Sequence, residues 1–153
     1  SYCSQNYGAG LKERIREGLK QALIIGFIWC GLVVLCTYLT GDILIRLVCG
    51  DISRTSIDAA VLYLKVDTVL YWVTMIICIL RNSLQGLGDH VTPIVSSSIE
   101  CVGKILIVMF MVTRLGYMGV ILAEPIVWCV MVIPLIIMIL KNPNVRGFRK
   151  EQV

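Results

Sequence analysis

The stretch "CILRNSLQGLGDHVTP", Cys78 to Pro93, decides how this chain is read. Arg81 closes an uncharged, mostly apolar run that begins at Thr68, and a glycine-rich turn follows only at Gly86. Glycines there are free to take positive φ, and Pro93 suits the first turn of a following helix. The segment reads as a tight hairpin between two helices, with a cation placed before the first has ended.

Composition names the solvent around that hairpin. Of 153 residues, 58% are hydrophobic and only 16% are charged, and the mean hydropathy is +0.85. A soluble domain of this size has too much surface to hide so much apolar area. The charge-free run Gln21 to Gly41, at about 1.5 Å per residue, spans roughly 30 Å, the thickness of the hydrocarbon layer. The expected fold class is an all-α, polytopic membrane helix bundle, with the lipid bilayer as its first partner.

Four crossings fit the pattern, filling residues 18–140. Residues 1–20 read as the end of a preceding helix and a charged amphipathic loop, "LKERIREGLK". The first crossing runs from about Gly18 to Thr40. The interval Gly41 to Ala60 is too charged to span and reads as a short interfacial helix and a loop. The second crossing runs from about Val61 to Leu84 and the third from Pro93 to about Val112. The fourth runs from about Val120 to Leu140, where Pro125 and Pro134 each remove a backbone donor and would bend or break it. Residues 141–153 form a tail.

The net charge of +4 gathers at the ends: Lys12, Arg14, Arg16 and Lys20, then Lys141, Arg146, Arg149 and Lys150. The 41–60 connection holds only Arg46 and Arg54, beside three aspartates. The positive-inside rule then places both ends of the segment in the cytoplasm, in a cell (plasma or inner) membrane. Anionic headgroups are the neighbours these bases suit; no aromatic-studded basic patch points to nucleic acid. Seven cysteines, with no CxxC pair, lie mostly in apolar runs, where cysteine acts as a small hydrophobe. No metal site and no cofactor is expected. His90 is the only histidine and sits in the turn, so no nucleophile–His pair exists, and "GLGD" is a turn rather than a phosphate loop. The chain does not read as an enzyme.

Asp67, Arg81, Glu100 and Lys104 are charges at membrane depth, each costing about 2.5–3.5 kcal/mol at a helix centre. Arg81 lies eight residues before the hairpin midpoint near Asp89 and Glu100 eleven after it, so both sit roughly 12–16 Å from the turn. Arg81 is therefore expected to meet Glu100. Lys104 stands one turn beyond Glu100 at the favourable i, i+4 spacing, giving a three-residue network of net charge +1. The plain alternatives are snorkelling to headgroups and a purely architectural pair. Asp67 reads as an interfacial or solvated acid near the opposite edge. Ser96, Ser97 and Ser98, beside Gly103, read as one small polar packing face.

Five segments in order resemble one family. They are "QNYGAGLKERIREG" (Gln5–Gly18), "YLKV" (Tyr63–Val66), "LRNSLQGLGDHVTP" (Leu80–Pro93), "SIECVGKI" (Ser98–Ile105) and "GYMGVILAEPIVW" (Gly116–Trp128). Together they are similar to multidrug and toxic compound extrusion (MATE) transporters, closest to the bacterial drug-extruding branch. The resemblance implies twelve helices in two lobes, this chain being the last four with the end of the eighth; its partner would be the N-terminal lobe. It implies efflux of small organic, often cationic, substrates in exchange for Na+ or H+, by rocking of the lobes. Some members carry an acid midway along the tenth helix, a position that falls near Thr74 here, whereas Asp67 lies two turns earlier. Asp67, Thr74, Arg81, Glu100 and Lys104 are thus the candidate cation- and substrate-cavity residues. A lipid-linked oligosaccharide or polysaccharide flippase, and a membrane assembly module that transports nothing, are the competing readings.

Overall fold

The computed structural model describes residues 1–50 and 53–145, and among them every regular element is helical. The order is α1 (Tyr2–Gly8), α2 (Lys12–Cys49), α3 (Arg54–Val69), α4 (Tyr71–Gly86), α5 (Val91–Ile107), a π-helical segment (Val108–Val112), α6 (Thr113–Leu115) and α7 (Tyr117–Lys141). Three helical stretches are long and apolar enough to cross a membrane: α2, the Val91–Leu115 stretch and α7; α3 with α4 makes a fourth if the bent pair is one span. The tail bases Arg146, Arg149 and Lys150 lie outside the described residues.

Several expected boundaries move. The first crossing is one continuous helix of 38 residues rather than a span followed by an interfacial piece. Asp42 and Arg46 sit at the i, i+4 spacing that supports a helix, and Ile43, Leu44, Ile45, Leu47 and Val48 keep the segment apolar between them. The helix stops only at Gly50, which takes φ +70°. The second crossing, expected as one helix from about Val61, begins earlier and is bent by 50° between α3 and α4. No proline or glycine marks that elbow. Thr68, fully buried, donates its hydroxyl back to the Leu64 carbonyl, a bond that bends helices. Shortened i→i+3 contacts from Leu70 N to Asp67 O (3.1 Å) and from Val73 N to Leu70 O (2.9 Å) then carry the chain through the turn.

The hairpin forms as expected. Gly88 takes φ +85°, and Asp89 closes the start of α5, its Oδ1 accepting from Val91 N at 3.1 Å and Thr92 N at 3.0 Å. Thr92 Oγ1 donates to Asp89 Oδ2 at 2.6 Å. Burial opposes ionisation of Asp89, but the Thr92 hydroxyl and the two backbone donors outweigh it and hold the carboxyl below its usual value. α7 passes through both Pro125 and Pro134 without a break. Its inner face, Val127, Met131, Leu135 and Ile139 at i+4 steps, packs on Ile77, Leu80, Leu84 and Leu87, with Ile15 of α2 closing the cluster. This apolar core occupies the hairpin half of the bundle. At the other end the α5–α7 connection draws tight: a Cβ on Gly119 would lie 2.7 Å from the Met111 carbonyl oxygen in the π-helical segment.

Candidate functional site

The apolar core gives way to charge on moving from the hairpin towards the membrane middle. Arg81 leaves α4 one residue after the core residue Leu80, and Glu100 leaves α5 at the depth the hairpin count gives it. Arg81 Nη2 lies 3.5 Å from Glu100 Oε2, and Lys104 Nζ lies 3.0 Å from Glu100 Oε1. The pairing expected from helix rise alone is present. What residue patterning did not single out is the fourth member: Lys104 Nζ also lies 3.1 Å from Glu124 Oε1 on α7. Glu124 is the only charge between Tyr117 and Leu140, and that isolation was the signal available. With it the expected net charge of +1 becomes zero across Arg81, Glu100, Lys104 and Glu124.

These four side chains are neither sealed nor free; between 27% and 38% of each remains accessible. They are not snorkelled outward, since each reaches a partner on another helix. Lys104 is the hub, bridging α5 to itself and to α7, while Arg81 ties α4 to α5. Gly103, next to it, brings α5 close enough to α7 that a Cβ would meet Val127 Cγ2 at 3.2 Å.

Asp67 corrects the sequence expectation. It is buried, 8% exposed, rather than solvated at a membrane edge, and it lies in the last turn of α3 beside the elbow at Leu70. Its polar neighbours are Tyr71 and Glu124, and among the described residues no cation lies within ion-pair distance of it. Its Oδ1 has no hydrogen-bond partner, and neither do Thr74 Oγ1 and Arg81 Nε. These three buried, unpartnered atoms recur every seven residues along the bent α3–α4 rod, and Thr74 and Arg81 share one face of α4. Counting all five charged groups, three acids face two bases.

The remaining expectations divide. Ser96 is fully buried and donates to the Met131 carbonyl at 3.2 Å, but Ser97 and Ser98 are exposed; three consecutive helical residues point about 100° apart and cannot share a face. Lys65 leaves Asp67 alone, its Nζ lying 5.8 Å from the Tyr38 ring centroid. No group of three metal-ligating side chains exists among the described residues. A cleft of about 520 Å³ between α1, α2 and α4, near Tyr2, Gly18 and Asn82, is mostly apolar and holds none of the charged network.

No curated protein and no solved structure matches the chain. A family model does: MatE, over residues 1–110. That range takes in the hairpin, Asp67, Thr74, Arg81, Glu100 and Lys104, with Glu124 beyond it. A helical membrane bundle whose polar groups gather at mid-depth, matched over most of its length by this model, belongs to the MatE family of membrane transporters.

Proposed function

We propose that this chain forms part of a secondary active exporter that exchanges small organic, often cationic, compounds for Na+ or H+ across the cell membrane, with both ends of the segment in the cytoplasm. The observation that carries the reading is the mid-membrane cluster in which Asp67, Glu100 and Glu124 outnumber Arg81 and Lys104 by one charge. A cluster short of one positive charge suits an exchangeable cation. It suits a lipid-linked phosphate poorly, which sets the flippase reading behind. Asp67 is the residue of choice for the coupling ion, since it is the buried acid without a cationic partner among the described residues and its elbow gives a rigid-body motion a place to act.

The test is efflux of a fluorescent cationic dye from cells carrying the full-length protein, with the sodium and proton gradients collapsed separately. Loss of efflux on collapse of one gradient is expected. Efflux indifferent to both refutes exchange.

A further inference from the structure

Lys104 occupies an unusual seat. Its ammonium lies 3.0 Å from one carboxylate and 3.1 Å from another, on a side chain 38% exposed. The two carboxylates are not equally dependent on it. Glu100 also holds Arg81 at 3.5 Å, whereas Glu124 has no other cationic partner among the described residues. Beside Glu124 stands Asp67, more than nine-tenths buried, with Oδ1 unpartnered. If Lys104 swung back to Glu100 alone, Glu100 would stay neutralised and a two-acid site, Glu124 with Asp67, would lie open to one positive charge.

We propose that the Lys104 ammonium holds, on Glu124, the place that an incoming organic cation takes, so that Lys104 is a tethered competitor setting how tightly this lobe takes cations. A lysine suits that role because its charge is a compact point on four flexible methylenes, so it leaves a carboxylate without breaking a forked, bidentate contact. Retreat costs little, because Glu100 lies on the same helix one turn away and already touches Nζ. Glu124 is then never left without a positive charge at mid-membrane, where a bare carboxylate is expensive. The same movement would remove the one ion pair between α5 and α7 among the described residues, while Ser96 on Met131 and the close approach at Gly103 keep the two helices packed.

The inference rests on the reading that this lobe meets organic cations, and the experiment separates the two. Binding of ethidium, a monovalent aromatic cation, to the full-length protein in nanodiscs is followed by fluorescence polarisation. Lys104→Met should tighten binding about fivefold, the range of a half-exposed ion pair. Adding Glu124→Gln should return it to the wild-type value or weaker. Unchanged or weaker binding by Lys104→Met, or a tightened affinity that survives Glu124→Gln, overturns the proposal. Should that variant fail to fold, the native protein answers through its own lysine. Acylation of Lys104 by an amine-reactive ester, read by mass spectrometry, should quicken several-fold with saturating ethidium; slowed or unchanged acylation overturns the proposal. Ethidium efflux is measured alongside. Efflux without the Lys104 effect removes only the competitor, whereas the Lys104 effect without efflux keeps the site and removes the exporter.

Discussion

Replacing Arg81 and Glu100 by glutamine, singly and together, isolates the pair that docks α4 on α5. At 3.5 Å the bare attraction is about 5 kcal/mol for an effective dielectric near 20. Both side chains keep over a quarter of their surface in contact with the surroundings, and part of the attraction is offset by desolvation, so a coupling of about 1–2 kcal/mol is expected. The single changes should not cost the same. Arg81→Gln leaves Glu100 still paired with Lys104 at 3.0 Å, and about 1 kcal/mol is lost. Glu100→Gln leaves two cations facing one acid, Glu124, and should cost about twice that or more. The assay is the unfolding free energy of the full-length protein in mixed detergent micelles, closed as a double-mutant cycle. Exchanging the charges, Arg81→Glu with Glu100→Arg, should restore only part of the loss, since the new arginine would crowd Lys104. Additive damage from the two glutamines, within about 0.3 kcal/mol, refutes the pairing; equal costs refute the sharing of Glu100 between two cations.

Three further outcomes follow from single contacts. Gly119→Ala would drive a methyl within 2.7 Å of the Met111 carbonyl oxygen, so the α5–α7 junction must part by several tenths of an ångström, lowering stability by about 1–3 kcal/mol; an unchanged unfolding midpoint would show the junction to be slack. Asp89→Ala removes the acceptor for Val91 N and Thr92 N and should cost about 1 kcal/mol, while Asp89→Asn, itself a good cap, should cost much less. Because the folded carboxyl sits below its usual value, the ionised cap's stabilisation is complete above about pH 4 and fades only as acid titrates the folded group; the surface setting keeps that step small. A wild-type protein whose acid step below about pH 4 matches that of Asp89→Asn contradicts this. Asp67→Asn keeps the shape of the side chain but removes a buried charge without a cationic partner, so stability should hold or rise while dye efflux falls; a variant that transports at the wild-type rate removes Asp67 from the exchange step.

Much of this site could be read before any coordinates because helix rise is fixed and the hairpin is short. Eight residues back from Asp89 and eleven forward can end only at similar depth, which placed Arg81 opposite Glu100, and the four-residue step to Lys104 needed no tertiary knowledge. Glu124 comes from α7, whose position against α5 is a packing outcome that no count along the hairpin supplies. The elbow at Leu70 escaped for another reason. The hydroxyl of Thr68 bonds back to its own helix there, but Thr40 and Ser98 make the same bond inside unbroken helices, so the residue type alone marks no elbow. Asp67 was consequently placed at the wrong level of exposure. The difference over Gly41 to Cys49 has the opposite origin: the charges of the 41–60 interval suggested a separate interfacial helix and a loop, although residues 42 and 46 have the spacing one continuous helix uses on its outer side.

That last segment sets a length against the bilayer. At about 1.5 Å per residue the 38 residues of α2 reach roughly 57 Å, whereas its charge-free portion accounts for about 30 Å. With that portion set across the hydrocarbon layer, the Asp42–Cys49 stretch extends roughly 12 Å beyond it through the headgroup region, with exposed Cys49 near its tip and exposed Cys36 below at hydrocarbon depth. The two thiols, on one rigid rod, form a built-in depth gauge: a maleimide too polar to enter the membrane will find Cys49 and miss Cys36, and the face of the cell from which it does so reports which way the rod stands.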